Sequence, residues 1–586
     1  MKKRLVTAVA IATALTLGMT ACSKSPSTST NNAPATPAFN AAIGHVYNAS
    51  DHKGGIVKMA ISSDWDSIDP GDTYYGLSWN LVRLYGRALT MFKPAPGAEG
   101  NTLTGDLAEG LGVPSDGGKT WTYKLRAGVK FDDGTPITSK DVKYAVERSI
   151  DKDVLVNGPT YFDDNLDWQG YRGPYKDKGK DPKSAIETPD DRTIVFHLKQ
   201  AFGGFDYFAM LPMTVPVPEA KDQGDNGGAK YRNHIVASGP YMFDTNEPGK
   251  GFTLKRNPNW DPATDPNRKA LPDGYSVKLN VNADDIDNQL ISGDLDVDIA
   301  GTGVQPAALS RVLGDPTLKA QADNLSALRL WYTSILPTVA PLDNLDCRKA
   351  VEYAADRTGY QAAYGGATGG DIATTLLLPA IPGYQKFDDY PAGADNKGDL
   401  DKAKAALAAC GKPSGFETKM AYRAERPKEK ATAESLQQAL GRVGIKLTLV
   451  PLATKDYFSL YVGKPSYPVA NGIGLATNGW GADWGDGYGM LSQIVDSRVI
   501  RATGGSSNLS VRIPAVDALL DKAMTETDVS KRNVIWGQID KAVMDQAVIL
   551  PGVYAKAVTL RGKHLANVFV NEAFGQYDYL TLSLAS

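Results

Sequence analysis

The chain has 586 residues, 42% apolar and 22% charged, with a formal net charge of −3. That length exceeds what one hydrophobic core serves, so two or three domains are expected, and the composition excludes wholesale disorder. The slight acidic balance gives no basic footprint for nucleic acid, and beyond the N-terminus no apolar run reaches the roughly 20 residues that cross a bilayer.

The first element is a leader. Lys2, Lys3 and Arg4 precede an apolar, Ala-rich stretch over 5–18 and the run Met19-Thr20-Ala21-Cys22. This resembles the bacterial lipoprotein signal, with Met19 where leucine is usual. The resemblance implies that residues 1–21 are removed and that Cys22 becomes a lipidated N-terminus. The protein would then be anchored on the extracytoplasmic side of the cell membrane, at the cell surface or in the periplasm. A plain secretory leader with Cys22 incidental is the alternative. Residues 22–53 are rich in Ser, Thr, Asn, Pro and Ala and read as a flexible tether, with the folded body starting at 54.

Strand-like and helix-like segments then alternate without a fixed repeat. Residues 121–125 alternate as a strand, and 128–134 read as a strand ending in an Asp-Asp-Gly turn. Thr138-Ser139-Lys140-Asp141 is a capping box for a helix whose apolar face is Val142, Ala145, Val146 and Ile150. Residues 151–183, rich in Asp, Gly, Lys and aromatics, read as an irregular surface excursion. A strand is expected over 193–198, a helix over 432–443 and a strand over 446–451. The mixture argues for α/β or α+β domains with mixed sheets.

Two cysteines remain after Cys22. Cys347 shares a helical stripe with Ala350, Val351 and Ala354; Cys410 ends the stripe Leu400, Ala403, Leu407 before the helix-stopping Gly411. Export places both thiols in a disulfide-permissive compartment, where they are expected to bond. Two separate buried thiols are the alternative.

A series of short motifs occurs in a fixed order: Ser67-Ile68-Asp69-Pro70, Leu84-Tyr85-Gly86-Arg87-Ala88-Leu89, Asp106-Leu107-Ala108-Glu109, Phe131-Asp132-Asp133-Gly134-Thr135-Pro136, Ser238-Gly239-Pro240-Tyr241, Arg256-Asn257-Pro258, Ser292-Gly293-Asp294-Leu295-Asp296, Arg348-Lys349-Ala350 with Asp356-Arg357, and Gly479-Trp480-Gly481-Ala482-Asp483. Together they resemble the peptide- and nickel-type binding proteins of ABC importers, family 5 of the substrate-binding proteins, over nearly the whole body. Most of the motifs read as structural: Asp133-Gly134 as a turn, Asp356-Arg357 as a helix end. The resemblance implies an α/β fold of the two-lobed periplasmic-binding-protein type (type II, cluster C), with an extra subdomain inserted in lobe one. Lobe one would take 54–85, 235–302 and 549–586, the insert 86–234, and lobe two 303–548. Function would follow from hinge closure over a solute that an ABC permease and its ATPase then import.

The resemblance also implies where a ligand sits. Peptide binders of the family hold an extended peptide like an added strand. Counting from the Asp-Pro pair puts one partner segment at Leu77, Ser78, Trp79 and Asn80. The other is the loop carrying Trp480, Gly481, Ala482, Asp483 and Trp484, in which the carboxylate matching Asp483 holds the peptide's α-ammonium. Glycines at 479, 481 and 485 would let the backbone approach the ligand, and Asp486 is a substitute anchor because the family's proline is missing there. A Gly-rich turn with core tryptophans and a locally bonded aspartate is the competing reading. Trp65, Tyr74 and Tyr75 suit core or cleft equally. Arg423, conceivable for the peptide carboxylate, reads rather as solvent-facing.

Five histidines without i, i+4 pairing, and no HExxH or CxxC, speak against a protein-held transition metal. The stretch from Gly112 to Gly118-Lys119-Thr120 has five residues between its glycines, where a phosphate loop has four, and a strand where that loop needs a helix. No nucleophile elbow occurs. The expectation is a monomeric receptor, not an enzyme, without cofactor. It would take short peptides or, alternatively, a sugar, a nickel chelate or a peptide signal.

Overall fold

The computed structural model describes residues 38–585 except 66, 75, 156, 223–230, 302, 425 and 454–455; the leader, Cys22 and Tyr75 lie outside the described residues. Lobe one is built on a five-stranded sheet in the order Val297–Asp298, Ile56–Ala60, Gly274–Lys278, Gly251–Arg256, Tyr241–Glu247. Ile56–Ala60 runs parallel to both neighbours, and the remaining pairs are antiparallel. Val57 and Met59, two apart and so on one face of the pleat, are fully buried with Leu254 and Val277.

Between those strands the chain builds a second unit on a four-stranded antiparallel sheet, Val113–Ser115, Thr120–Lys124, Thr193–His197, Ile186–Asp190. Its core is aromatic, with Trp121, Phe196, Phe205 and Phe208 in one cluster. The helix Ser139–Ser149 covers it with Val142 and Val146, both fully buried. The Asp141 carboxylate accepts from the Thr138 N–H at 2.7 Å and its hydroxyl at 2.8 Å, which fixes where that helix starts.

Lobe two has a six-stranded mixed sheet, Gly370–Ile372, Ile549–Leu560, Ala322–Ile335, Ile473–Gly481, Glu417–Arg423, Lys446–Leu452. Its two long antiparallel strands cross from lobe one. Ala322, Val558 and Leu560 pack with Ala60 and Leu290 on the lobe-one side, while Ile335 and Leu550 lie in the lobe-two core. Ser326 pairs with Lys556 and Leu330 with Tyr554, so residues 327–329 face Ala555 alone in a bulge, with Leu328 at φ 46°. Cys347, on the helix Leu345–Ala354, is bonded to Cys410 at the end of Leu400–Ala409, with Cα atoms 5.3 Å apart. Closing a loop of 63 residues contributes about 4 kcal/mol in the chain-entropy account.

The early motifs are buried charges that join these parts. Arg148, on the insert helix, meets both Asp69 oxygens at 2.8 and 2.7 Å and Asp222 at 2.9 Å, with no solvent exposure. Asp106 accepts from Arg87 at 3.0 Å and from Arg268 at 2.6 and 2.7 Å.

Several expectations are corrected. Residues 38–50, assigned to the tether, pack on the body: Asn40 N–H donates to the Ala322 carbonyl, Ala42 is fully buried, and Tyr47 bridges Val568 under the Arg561 guanidinium. Residues 151–183 are no surface excursion, because Tyr161, Phe162, Leu166 and Trp168 belong to the insert's core. Residues 128–134 form a turn with one bridge, Lys130 to Pro136. Asp356 starts a helix instead of ending one, its carboxylate accepting the Gly359 N–H at 2.8 Å.

Replacing Arg148 with leucine strands two buried carboxylates. The substitution is expected to destabilise the protein by roughly 3–5 kcal/mol in denaturant unfolding. A loss below about 1 kcal/mol would mean that Asp69 and Asp222 are satisfied otherwise.

Candidate functional site

The strand Ile473–Gly481 ends in the seam between the lobes, and the chain turns there through Ala482, Asp483 and Trp484. The Ala482 N–H donates to the Leu328 carbonyl at 3.1 Å, tying this turn to the bulge. Asp486 then caps the helix Gly487–Val495, accepting the Tyr488 N–H at 2.7 Å, so it is a helix cap and no ligand anchor.

Asp483 holds a sheltered carboxylate. The Tyr161 hydroxyl, from the inserted unit, donates to its Oδ2 at 2.5 Å, and Tyr74 is a second hydrogen-bond partner. Burial pushes the Asp483 carboxyl up to about 6, while the two tyrosines and the Arg329 charge pull it the other way. The side chain borders a cavity of about 300 Å³ lined by Tyr74, Trp79, Arg329, Trp484 and Phe574, with walls from both lobes. That volume is at the small end for ligand pockets, about 300–1,000 Å³.

Arg329 is the residue that sequence reasoning missed. The bulge turns it into this cavity opposite Gly481, with its guanidinium 5.3 Å from the Trp331 ring and in no ion pair with a described residue. Burial, then the like charges of Arg426 and Arg423, press its pKa down. Arg423 is buried, not solvent-facing, and shares Glu429 with Arg426.

The remaining expected residues divide. Trp79 lines the cavity, but Ser78 and Asn80 do not: all three lie in the helix Gly76–Tyr85, and the backbone there has no free edge for a strand-like ligand. Asn80 is fully buried, donating to the Tyr577 carbonyl at 2.9 Å and accepting from Arg83 at 3.0 Å. Gly481 and Ala482 line the cavity, whereas Trp480 packs toward the lobe-two core. Gly479 is needed for packing, since a Cβ there would run into the Trp331 ring. Trp484 does both. It lines the cavity, and its ring packs on Tyr161 at 4.9 Å and Phe208 at 5.7 Å of the inserted unit, plugging lobe two into that aromatic core. Tyr74 lines the cavity and stacks on Trp79 at 5.9 Å, while Trp65 sits edge-on to Phe252 in lobe one. Among the described residues no group of three His, Cys, Asp or Glu side chains is placed to hold a metal.

The profile of the bacterial extracellular solute-binding proteins, family 5 (middle region), matches residues 102–500. The probable D,D-dipeptide-binding periplasmic protein of Escherichia coli is 28% identical over 83% of this chain and 86% of its own. Heme-binding protein A of Haemophilus influenzae is 28% identical over 76% and 78%. The solved structure of clavulanic acid biosynthesis oligopeptide binding protein 2 is 41% identical, covers 94% of this chain and 99% of that one, and superposes with a TM-score of 0.89.

Tyr161→Phe removes a donor that favours the ionised carboxylate, so the Asp483 pKa is expected to rise above about 6. Carboxyl-carbon NMR titration reads this directly. An unmoved value would show that the hydroxyl does not hold the charge.

Proposed function

The chain belongs to the bacterial extracellular solute-binding proteins of family 5, and we propose that it captures short peptides in its interlobe cavity and presents them to an ABC import permease. One observation carries this reading: a buried carboxylate, Asp483, and a guanidinium, Arg329, that forms no ion pair with a described residue, face the same enclosed space. A free peptide bears one charge of each sign at its ends, and each finds an opposite charge there at low dielectric. Asp483 takes the α-ammonium in place of the tyrosine hydroxyls, and Arg329, backed by Arg426, takes the carboxylate. Closure of the lobes over the ligand gives the permease a form to recognise. The relatives named for D,D-dipeptide and oligopeptide binding support the peptide class. A neutral sugar would bring no charge to either group, so it would gain less from this pair than a peptide does.

Asp483→Asn is expected to weaken binding of a free tripeptide by roughly 2–5 kcal/mol, some 30- to several-thousand-fold. Acetylating the peptide's N-terminus weakens wild-type binding to a similar degree but adds little on the variant, since both changes remove one interaction. Binding also depends on pH. The ligand's ammonium favours ionised Asp483 and lowers its pKa from about 6, so affinity is full above that value. It falls as pH drops through it, by up to about tenfold per unit. Calorimetry across pH 5–8 on both proteins decides the matter, and a pH profile unchanged by Asp483→Asn overturns the anchor.

The leader and Cys22 complete the proposal as a lipid anchor that keeps the receptor beside its permease. No helix among the described residues is long and apolar enough to cross a membrane. Cys22→Ser is expected to move the protein from the detergent phase to the aqueous phase, or to leave it unprocessed. Unchanged partitioning would show that no lipid is attached.

A further inference from the structure

The interlobe seam holds a second chamber of about 280 Å³ beside the first. Leu328, on the bulge, borders both. From there the first chamber lies over the end of Ile473–Gly481, while the second extends over Ile549–Leu560 to Gly370–Ile372 at the sheet's far edge. Gly575, from the C-terminal segment of lobe one, closes against the bulge between them: a Cβ there would lie 2.8 Å from the Ser326 carbonyl and 3.3 Å from Leu328 Cγ. The two chambers are thus neighbours that share Leu328 as a wall, with Gly575 packed against the bulge where they meet.

Most of the second chamber's wall is apolar, from Ile43, Leu325, Leu328, Pro379 and Val570. Three charged side chains reach it. Asp371 and Lys556 pair with each other at 2.5 Å and cancel. Glu572 has no such partner among the described residues; its Oε2 accepts a neutral hydrogen bond from Asn101 at 3.2 Å, and burial pushes its carboxyl up. An apolar channel with one uncompensated carboxylate complements a side chain with a hydrocarbon stem and a cationic head.

We propose that this chamber is a ligand subsite for a lysine- or arginine-like side chain, with Glu572 as its counter-charge. The inference rests on the peptide reading above and deepens it. The receptor would prefer, among peptides anchored at Asp483, those whose extended chain carries a basic residue past Leu328. The apolar stem would replace solvent against Leu325 and Val570, and the head would meet Glu572 where the wall reaches Asn101.

The test is calorimetry with tetra-alanine and with tetrapeptides carrying lysine, or its neutral isostere norleucine, at position 2, 3 or 4. At one position lysine is expected to bind about tenfold or more tighter than norleucine. Glu572→Gln, which keeps an acceptor for Asn101, should erase that difference while leaving tetra-alanine binding unchanged. Equal affinity for lysine and norleucine at every position overturns the subsite, even where tetra-alanine binds well. A lysine preference that survives Glu572→Gln overturns the assignment of Glu572. Failure of every peptide to bind is a different result, because it removes the peptide reading itself. Where the glutamine variant does not fold, the wild-type comparison of lysine with norleucine still decides, and Glu572→Asp should weaken the preference.

Discussion

A chain that passes between two lobes has to carry its backbone polar groups across a seam that also admits a ligand. Here two antiparallel strands, Ala322–Ile335 and Ile549–Leu560, make that crossing and satisfy each other's hydrogen bonds on both sides of it. The register shifts at two places, residues 327–329 and Gly552, and at the first the bulge frees the Leu328 carbonyl for Ala482 and turns Arg329 into the cavity. The position of the Asp483 turn, the placing of the Arg329 guanidinium and the wall shared by the two chambers all follow from that interruption. The buried charge clusters do the complementary task, fixing the inserted unit to lobe one so that Tyr161 arrives opposite Asp483.

Much of the architecture was legible because the motifs are made of residues whose burial demands partners. Asp69, Arg87 and Asp106 stand in the sequence as ordinary charges, yet the fixed order of their motifs marked the family, and their ion pairs with one another and with Arg148 explain their identity. The disulfide followed from two apolar helix stripes, one beginning at Cys347 and one ending at Cys410. Other features were hidden because they depend on partners far along the chain. Nothing local in 38–50 announces that Asn40 will find Ala322 or that Ala42 will be covered. Tyr161 lay in a stretch whose glycines and charges masked its aromatics.

The misplacing of Ser78 and Asn80 had a different origin, since Leu77 and Trp79 of the same segment do line the cavity. Leu77, Leu81 and Leu84 recur at helical spacing, and the helix they form buries Ser78 and Asn80. Ungapped counting along a resemblance placed a strand-like ligand contact where the local periodicity already favoured a helix. Arg329 carried no comparable signal. Its direction is set by a break in strand register, which depends on how residues more than 200 positions apart pair.

The Trp484 plug has a consequence for selectivity. Its contact with Tyr161 and Phe208 is made within the protein and not to a solute, so where the lobes are closed it adds the same free energy for every solute. Apparent affinity is the intrinsic affinity multiplied by the fraction of molecules already closed. Substitution at Phe208, which packs on Trp484 outside the cavity lining, can therefore change how tightly this receptor binds everything without touching which solutes it ranks first. Ranking is left to the side chains that line the cleft, so strength and discrimination can be adjusted at different positions even though Trp484 and Tyr161 serve both.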